Sequence, residues 1–259
     1  MLFLIGLGLD LGDISMNGIS AIRASDELLL DSFTSSVSRE YRDYLEAASG
    51  KQIKVLSRSD MEENAKSTIS AAKTKNIAIL VPGDPLTATT HHLMLDISKQ
   101  MGIDYKIIHS SSIFTAAIGE SGLDIYRFGP TTTIPFWKRH YEPTSFLEVI
   151  KKNMENGFHT LVLLDFNQAE GKSMSAAEAC DIIEKAQEKA GKVIENDTPI
   201  LLLSDIGRSN SNIVYTTFQK LKSTGNSSAA MSCLIVPSNP NFAEEEAMKK
   251  YKTSGSKKT

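Results

Sequence analysis

The chain has 259 residues, of which 41% are hydrophobic and 23% charged, as is typical of a folded globular protein and unlike a disordered one. A net charge of -3 lacks the strongly basic balance that nucleic-acid binding favours, so no nucleic-acid partner is predicted. No apolar run approaches the ~18 residues that span a bilayer. The opening MLFLIGLGLDLGD also lacks the basic region of a signal peptide, so a cytoplasmic protein without a membrane partner is expected.

The first half of the chain alternates short apolar runs with longer amphipathic ones. Strands are predicted in LFLIGL, ELLLDSF, KQIKVLS, NIAILVP and IDYKIIH. Helices are predicted in SMNGISAIRAS with Ser15 as N-cap, in SREYRDYLEAAS, in a segment from a capping box at Ser59 and Glu62 to the lysines near Lys73, and in ATTHHLMLDISKQM. Because NIAILVP is apolar along its whole length, it indicates a largely parallel sheet covered on both faces. This half closes an N-terminal α/β domain, residues 1–112.

The second half is less regular but also mixes strands and helices. Helices are predicted in SSIFTAAIGESG, TSFLEVIKKNMENG, SAAEACDIIEKAQEKAG, NIVYTTFQKLK and FAEEEAMKKY. Buried strands are predicted in HTLVLLDF, PILLLSD and MSCLIVP, with short β pieces at 125–128 and 131–134. The pattern predicts a C-terminal α/β domain, residues 113–250, followed by a disordered tail, 251–259.

The turn after the first strand is rich in glycine, at Gly6, Gly8 and Gly12. Glycine lets a ligand approach backbone N–H groups, as in the GxGxxG loop of dinucleotide-binding folds. The third glycine falls one residue too late for that pattern, and a plain strand-to-loop turn is at least as compatible with it.

Polar residues follow later strands, at the edge where open α/β sheets bind ligands. Asp84, between glycine and proline, either faces a ligand or bonds its own turn. The serines after His109 suit a polar ligand or a helix cap, and one threonine among residues 87, 89 and 90 is expected to cap the next helix. Asp165 either binds a ligand or caps a turn, whereas His159 is interpreted as structural. No spacing predicts a metal site, and no G-x-S-x-G elbow predicts a nucleophilic serine.

Four segments occur in a recognisable order over roughly residues 1–165: MLFLIGLGLDLGDIS, LVPGDPLTATTHHLML, IIHSSSIFTAAIGESGLDIYRFGPTTTIPFW and GFHTLVLLDF. Together they resemble the diphthine synthases. ATTH and YRFG are specific to that family, whereas GDP after a strand is shared with the wider tetrapyrrole-type methylases. The resemblance implies two α/β domains of the tetrapyrrole methylase type, with S-adenosylmethionine in the cleft between them.

The resemblance also implies the positions that bind the donor. They are Leu9, Asp84, Thr87, Ser112, Ile113, Leu163, Ile206 and Met231. The last third departs from the family pattern, because Ser204 and Asp205 stand where an Ala-Arg pair is usual and Met231 where histidine is frequent. Backbone groups typically make both contacts. The short loop between 165 and 175 is more similar to archaeal than to eukaryotic members.

The activity implied by the resemblance is methylation of the amino group of 3-amino-3-carboxypropyl-histidine on translation elongation factor 2, as far as a trimethylammonium, with S-adenosylhomocysteine as product. In such an in-line displacement the protein must align the acceptor nitrogen and keep it unprotonated, and alignment can supply ~7–11 kcal/mol. No catalytic residue is assigned. The family further implies a homodimer, with FGPTTTIPFW as a candidate interface.

Three alternatives stay open. One is a tetrapyrrole-type methylase with a small-molecule acceptor such as a precorrin-like macrocycle, against which ATTH and YRFG count. Another is a module that binds S-adenosylmethionine or a nucleotide without turnover, for which the divergent last third leaves room. The last is a dinucleotide-dependent reductase, which the glycine spacing disfavours.

Overall fold

The structure, a computed structural model, describes residues 1–32, 37–167, 170–223 and 231–252. The chain divides into two units, Met1–Ile113 and Phe114–Thr259. None of the helices within these described ranges is long and apolar enough to cross a bilayer.

The first unit holds five strands and most of the helices predicted for it. Its strands are β1 (Leu2–Gly6), β2 (Glu27–Asp31), β3 (Ile53–Leu56), β4 (Ile77–Val81) and β5 (Tyr105–Ile108). Its helices are α1 (Met16–Ala24), α2 (Arg39–Ser49), α3 (Arg58–Met61), α4 (Ala65–Ile69), a 3-10 helix (Ser70–Lys73) and α5 (His92–Gln100), while α6 (Ile113–Ser121) begins where the unit ends. The strands form one sheet of order β3-β2-β4-β1-β5, and every pairing in it is parallel.

Helices cover both faces of this sheet, as the uniformly apolar strands predict. On one face Leu4 and Ile79 pack with Met94 of α5. On the other face Ile5 packs with Ile22 of α1 and with side chains of α2. The central strands β1, β2 and β4 are buried along nearly their whole length, so the polar residues that accompany them lie beyond their ends.

The second unit has a mixed sheet. Its strands are β6 (Thr132–Ile134), β7 (Thr160–Leu164), β8 (Phe166–Asn167), β9 (Lys172–Ser173), β10 (Pro199–Ser204), β11 (Asn212–Thr217) and β12 (Ser232–Val236). Its helices are a 3-10 helix (Ile125–Arg127), α7 (Ser145–Glu155), α8 (Ala176–Ala190), α9 (Phe218–Ser223) and α10 (Phe242–Lys249). The main sheet has the order β11-β10-β12-β7-β6, in which β6 and β7 are parallel and the other pairs antiparallel, and β8 and β9 form a hairpin.

One face of the second sheet carries the core of this unit. Phe146 and Ile150 of α7 and Ile183 of α8 pack against inward residues of the strands, such as Val162 and Leu234. The two cysteines are buried thiols, and burial raises the pKa of both Cys180 and Cys233 to about 12. They are therefore unreactive near neutral pH, as the sequence indicates.

The capping box predicted at Ser59 and Glu62 is wrong by two residues. Ser57 is the N-cap, because its hydroxyl accepts from Asp60 N, and the Asp60 carboxylate accepts from Ser57 N at 2.9 Å. The predicted continuous helix to Lys73 is also interrupted after α3. Thr68 Oγ1 donates to the carbonyl of Asp60 at 2.8 Å, so a side chain takes a backbone acceptor near the break.

Two further predictions are corrected in the second unit. The segment NIVYTTFQKLK is not one helix, because Asn212–Thr217 pairs with β10 along its full length and only the residues from Phe218 are helical. Its β-branched residues suit a pleated ladder better than a helix. The β piece predicted at 125–128 is largely a 3-10 turn, since the Asp124 side chain accepts from Tyr126 N at 3.0 Å.

The predicted disordered tail begins at residue 251, but Tyr251 has partners in the second unit. Its hydroxyl donates to the carbonyl of Glu120 at 2.5 Å, and its own carbonyl accepts from Tyr215 N at 2.8 Å. Residues 253–259 lie outside the described part of the chain.

Candidate active site

Three loops of the first unit meet at the carboxyl edge of its parallel sheet. They follow β1, β4 and β5, whose ends are aligned by the pairing of Gly6 with Val81 and of Ile5 with Ile108. Because β1 lies between the other two strands, the loops after β4 and β5 can touch only by crossing its end. The sequence predicts a ligand at such an edge.

Glycine at the end of β1 makes that crossing possible. A Cβ on Gly6 would lie 2.8 Å from the carbonyl oxygen of Gly83 and 2.9 Å from Cβ of Ser110. Gly8 and Gly83, both left-handed, exchange two backbone hydrogen bonds of 3.1 and 2.8 Å. Gly12, in contrast, has nothing near it. The glycines therefore serve loop packing, which explains why their spacing fails the dinucleotide pattern.

The carboxylate of Asp84 joins the loops after β4 and β5. Its Oδ1 accepts from Leu86 N at 3.0 Å and from Thr87 Oγ1 at 3.1 Å, and its Oδ2 lies 2.7 Å from Nδ1 of His109 and 3.4 Å from Ser110 N. Burial would raise the pKa of Asp84, but these hydrogen bonds lower it on balance. Asp84 is thus ionised near neutral pH, and of the two interpretations offered by the sequence the turn-binding one describes these contacts.

Among the described residues, His109 is the only titratable side chain in contact with the Asp84 carboxylate. Its side chain is 66% exposed, whereas that of Asp84 is 10% exposed. An ionised carboxylate can only accept, so Nδ1 of His109 carries a proton and Nε2 is the second ring nitrogen, away from Asp84. The sequence places His109 at a strand end but gives no sign of its partner, 25 residues earlier.

Asp13 holds the loop after β1 and was not singled out from the sequence. Its Oδ2 accepts from Leu9 N at 2.8 Å and from the hydroxyl of Ser111 at 2.5 Å, while Ser110 Oγ donates to its carbonyl at 2.9 Å. Asp13 therefore fixes the backbone of Leu9, a predicted donor-binding position, against the loop after β5. The acid follows the glycines by one residue, a signal too common to read alone.

The loop between β4 and α5 is anchored by His91 rather than capped by a threonine. The N-cap of α5 is His91 and no side chain caps the helix there, so the threonine cap predicted at residue 87, 89 or 90 is wrong. Thr87 bonds Asp84 instead, and Thr89 Oγ1 donates to the carbonyl of Pro85 at 3.1 Å. The buried ring of His91 bonds the Pro85 carbonyl through Nδ1 at 2.9 Å. Its Nε2 lies 3.2 Å from a carboxylate oxygen of buried Asp31, without the alignment of a hydrogen bond.

Two predicted positions of the first unit remain, Ser112 and Ile113. They lie at the end of the loop after β5, where α6 begins. Ser112 is buried and Ile113 half-buried. The five predicted residues of this unit are thus brought to one edge, on three loops.

In the second unit Leu163 lies in β7, half-buried and next to Asp165. The carboxylate of Asp165 accepts from Phe136 N through Oδ2 at 2.8 Å and from Phe166 N through Oδ1 at 2.9 Å. It therefore ties the segment after β6 to the end of β7, and only the bond from Phe166 is local to a turn.

Ile206 and Met231 lie close together through Asp205, whose backbone is left-handed with φ 50°. Asp205 N donates to the Met231 carbonyl at 2.8 Å, and Met231 N donates back to Asp205 Oδ1 at 3.1 Å. Arg208 Nη1 lies 3.3 Å from the same oxygen. Asp205, which departs from the family pattern, therefore binds both backbone groups of Met231 and immediately precedes Ile206.

The edge in the first unit fits a sulfonium donor by its chemistry. Three carboxylates, those of Asp10, Asp13 and Asp84, stand on its loops beside several hydroxyls, so a cation is favoured there. Within the described ranges, no group of three or more His, Cys, Asp or Glu side chains could hold a metal ion.

Comparison with known proteins agrees with this class of site. The family model of Tetrapyrrole (Corrin/Porphyrin) Methylases matches residues 1–222, so fold and edge define a methylase of that class. The diphthine synthases of Methanocaldococcus jannaschii and Methanothermobacter thermautotrophicus are 34% and 36% identical, over 96% and 95% of this chain and 98% and 93% of theirs. The chain belongs to the diphthine synthase family.

Two more relatives define the range of the family. A relative from Arabidopsis thaliana, described as "Probable diphthine methyl ester synthase", is 33% identical over 97% of this chain and 98% of its own. A crystal structure of diphthine synthase superposes with a TM-score of 0.85 at 30% identity, covering 97% of this chain and 95% of that one. Membership confirms the predicted fold class and the predicted enzyme class, an S-adenosylmethionine-dependent methyltransferase of diphthamide biosynthesis.

Proposed function

We propose that the protein methylates the amino group of 3-amino-3-carboxypropyl-histidine on translation elongation factor 2, as far as a trimethylammonium. The observation that carries this proposal is the family membership over nearly the whole chain, joined to an edge of the first sheet whose polar residues suit a cationic methyl donor. We further propose that it acts in the cytoplasm and that the domains divide at residues 112 and 250.

The positions that we propose for binding S-adenosylmethionine are described unit by unit. In the first unit these are Leu9, Asp84, Thr87, Ser112 and Ile113, which stand on the three edge loops. In the second unit they are Leu163, Ile206 and Met231, of which the last two are joined through Asp205. The backbone of Leu9 and Met231 is fixed by a carboxylate in each case, so these contacts are preorganised.

The donor supplies a methyl group on a sulfonium that is already activated for displacement. The chain therefore needs no covalent nucleophile, and its task is to align the acceptor nitrogen and keep it unprotonated. The carboxylates at the edge also favour an acceptor that becomes cationic as it is methylated.

A homodimer is proposed on the basis of the second sheet. Its strand β6 pairs on one side only among the described strands, and it belongs to the segment FGPTTTIPFW. An edge strand offers unpaired backbone groups that a second copy can complete. Light scattering at several protein concentrations would test this, and a constant monomer mass would reject it.

A mass spectrum tests the proposed activity directly. The protein is mixed with S-adenosylmethionine and elongation factor 2 whose target histidine carries the aminocarboxypropyl group. Three added methyl units are expected. No addition by a protein that binds the donor would overturn the proposal.

The Arabidopsis thaliana relative raises a second candidate, in which a fourth methyl esterifies the carboxylate of the same group. Mild alkali separates the two, because an ester methyl is lost on hydrolysis and an ammonium methyl is kept. A product with four methyls that falls to three after alkali would support the ester function.

Replacement of Asp84 tests the donor site. Asp84→Ala leaves Leu86 N, Thr87 and His109 without their shared acceptor, so the loops after β4 and β5 should separate and donor affinity should fall by about tenfold or more. Calorimetric titration with S-adenosylmethionine measures this. Asp26→Ala is the matched control, because Asp26 bonds Asn76 N just before β2, at the opposite edge. Equal affinity of folded Asp84→Ala and wild type would reject the assignment.

A further inference from the structure

The proposed function leaves one chemical task without a residue. Alkyl amino groups in proteins titrate between roughly 8 and 10.5, so near neutral pH most of the acceptor is an ammonium without a lone pair. Each methyl transfer to nitrogen therefore requires that one proton be removed first. A general base is expected within hydrogen-bond reach of the acceptor, with a lone pair that the protein itself does not use.

His109 has the geometry of such a base. Its Nδ1 lies 2.7 Å from Asp84 Oδ2, and its side chain is 66% exposed at the edge that carries the proposed donor positions. Because the carboxylate can only accept, the proton of the neutral ring is on Nδ1 and the lone pair is on Nε2. No described residue is in hydrogen-bond contact with Nε2. A carboxylate that holds the ring in one tautomer and stabilises the imidazolium is the arrangement by which histidine acts as a base in acyl transfer.

The other histidines of the described chain do not share this geometry. Both ring nitrogens of His159 are engaged inside the second unit, and His91 is fully buried against Asp31. His92, on α5, and His140 are both exposed, but neither has a carboxylate partner among the described residues. Among the described histidines, exposure and a carboxylate contact therefore occur together only at His109.

We propose that His109 is the general base of the amino methylation and that Asp84 orients it. The inference rests on the proposed function, because it concerns the acceptor amine of that reaction. Nε2 takes one proton from the ammonium, and the freed lone pair of nitrogen forms the new N–C bond. The S–C bond breaks, and its electron pair stays on sulfur. The imidazolium then releases its proton to solvent, which its exposure permits, and the cycle repeats for each methyl.

The charged groups around His109 are consistent with a proton acceptor. Asp84, on the loop after β4, contacts the ring directly. Asp13, on the loop after β1, is bound to Ser110 and Ser111, the residues that follow His109. Asp10 stands on the same loop, and Lys106 of β5 is the nearest cation along the strand.

The test compares methylation rates of His109→Gln and wild type across pH, on the aminocarboxypropylated elongation factor. Near pH 7 the first-methylation rate of His109→Gln is expected to be ~10²–10⁴-fold lower, the usual contribution of a general base. As the pH rises toward about 10, the amine loses its proton unaided. The rate ratio of wild type to variant should therefore shrink steadily. Donor affinity, measured in parallel, should change much less than the rate.

Two further variants complete the test. His92→Gln is the matched control, because it removes an exposed histidine of the same unit and should keep the wild-type rate. Asp84→Asn should retain the acceptor oxygen for Leu86 and Thr87 but turn an amide toward Nδ1, which favours the tautomer with its proton on Nε2. Its rate should fall even with saturating donor.

The possible outcomes separate the two proposals. An inactive wild-type protein that binds the donor would overturn the proposed function. An active wild type with an equally active His109→Gln at pH 7 would overturn only the assignment of the base. A rate loss in His109→Gln that stays constant from pH 7 to 10 would also overturn it, because a purely structural role is independent of the amine's protonation.

Discussion

Each unit of this protein contains a histidine bonded to a carboxylate. The two pairs differ in whether the second ring nitrogen of the histidine is also hydrogen-bonded. In the first unit His109 donates to Asp84, its side chain is largely exposed, and its second ring nitrogen makes no hydrogen bond with a described residue. In the second unit His159 is fully buried, its Nε2 lies 3.1 Å from Glu244, and its Nδ1 accepts from Ser238 N at 3.0 Å. The same pair of side chains thus offers an unused lone pair in one place and none in the other.

The distance between histidine and carboxylate therefore does not tell a structural pair from one that can exchange a proton. The hydrogen bonding of the second ring nitrogen does. The pair of the second unit also binds Arg127, whose guanidinium contacts both Glu244 and the carbonyl of Asn239. It therefore ties the YRFG segment and the start of β7 to α10. Burial lowers the pKa of His159, although its bond to Glu244 acts in the opposite direction. A neutral, fully bonded imidazole of this kind holds structure and exchanges no proton with substrate.

The largest expected effect comes from breaking the buried pair. Glu244→Ala removes the acceptor of Arg127 and of two backbone N–H groups, those of Asp124 and Asn241. Loss of one partner of a buried ion pair typically costs ~3–5 kcal/mol, so the free energy of unfolding in urea should fall by about that amount. Glu246→Ala is the control on the same helix. Its pair with Lys249 is half exposed, and a loss below ~1 kcal/mol is expected.

Gly6→Ala should disrupt the pair of His109 and Asp84 indirectly, by moving the loops that carry the two residues. The added Cβ would approach Gly83 O and the Pro85 ring at 2.8 Å, which forces the loops after β4 and β5 apart. Overpacking of this kind costs ~1–3 kcal/mol, and donor affinity should fall with it. Gly12→Ala, which meets nothing within 4 Å, should leave both unfolding and donor titration unchanged. A Gly6→Ala protein with wild-type donor affinity would contradict the loop-crossing role of the glycine.

The buried pair also predicts how stability depends on pH. His159 and Glu244 both have a lowered pKa in the folded protein. For His159 burial is the main cause, and for Glu244 the bonds from Asn241, Asp124 and His159 outweigh a burial effect of opposite sign. The unfolded chain therefore binds more protons at acid pH, and stability falls as pH falls.

This contribution has two steps. That of His159 is complete above the ordinary imidazole value of 6.5 and is lost below it, and that of Glu244 is complete above 4.5 and is lost below it. Each proton changes the free energy of unfolding by at most ~1.4 kcal/mol per pH unit. Urea unfolding at pH 8, 6, 5 and 4 measures the curve. A free energy that stays constant between pH 8 and 5 would show that His159 does not titrate in this way.

The smallest effect is expected at a carboxylate that is paired with a serine instead of a histidine. Asp60 and Ser57 form an exposed capping box, and hydrogen bonds from Ser57 lower the pKa of Asp60. Ser57→Ala should cost ~1 kcal/mol, as is usual for an N-cap. Ser59→Ala should cost less, because Ser59 is inside the helix. A larger loss of stability for Ser59→Ala than for Ser57→Ala would instead support the capping box predicted at Ser59 and Glu62. Either loss gives a small reference value against which the effects at the two histidine pairs can be compared.

Much of the fold was predictable from local patterns. Uniformly apolar runs such as NIAILVP identified a parallel sheet, and Ser15 and Ser175 begin α1 and α8. The failures lie where local preference was ambiguous. Two serines near residue 58 could each open a helix, and NIVYTT became a strand because β10 offers it a complete ladder. Neither the choice between the two serines nor the presence of β10 beside NIVYTT can be read from a short stretch of sequence.

The candidate site divides in the same way. Its family and its donor positions were predicted from motifs, and Asp84 was marked because glycine and proline flank it at a strand end. Its partner His109 was not predicted, nor was Asp13 as the residue that fixes Leu9. These contacts join residues 25 and 98 positions apart as well as near neighbours.

The sequence by itself therefore determined most of the elements, the family and the residue types at the sheet edge, because these depend on short-range pattern and motif. Only the tertiary structure decided which carboxylate meets which histidine, and with which nitrogen. That choice depends on strand order, which places β1 between β4 and β5, and on the absence of a side chain at Gly6, which lets their loops close over its end.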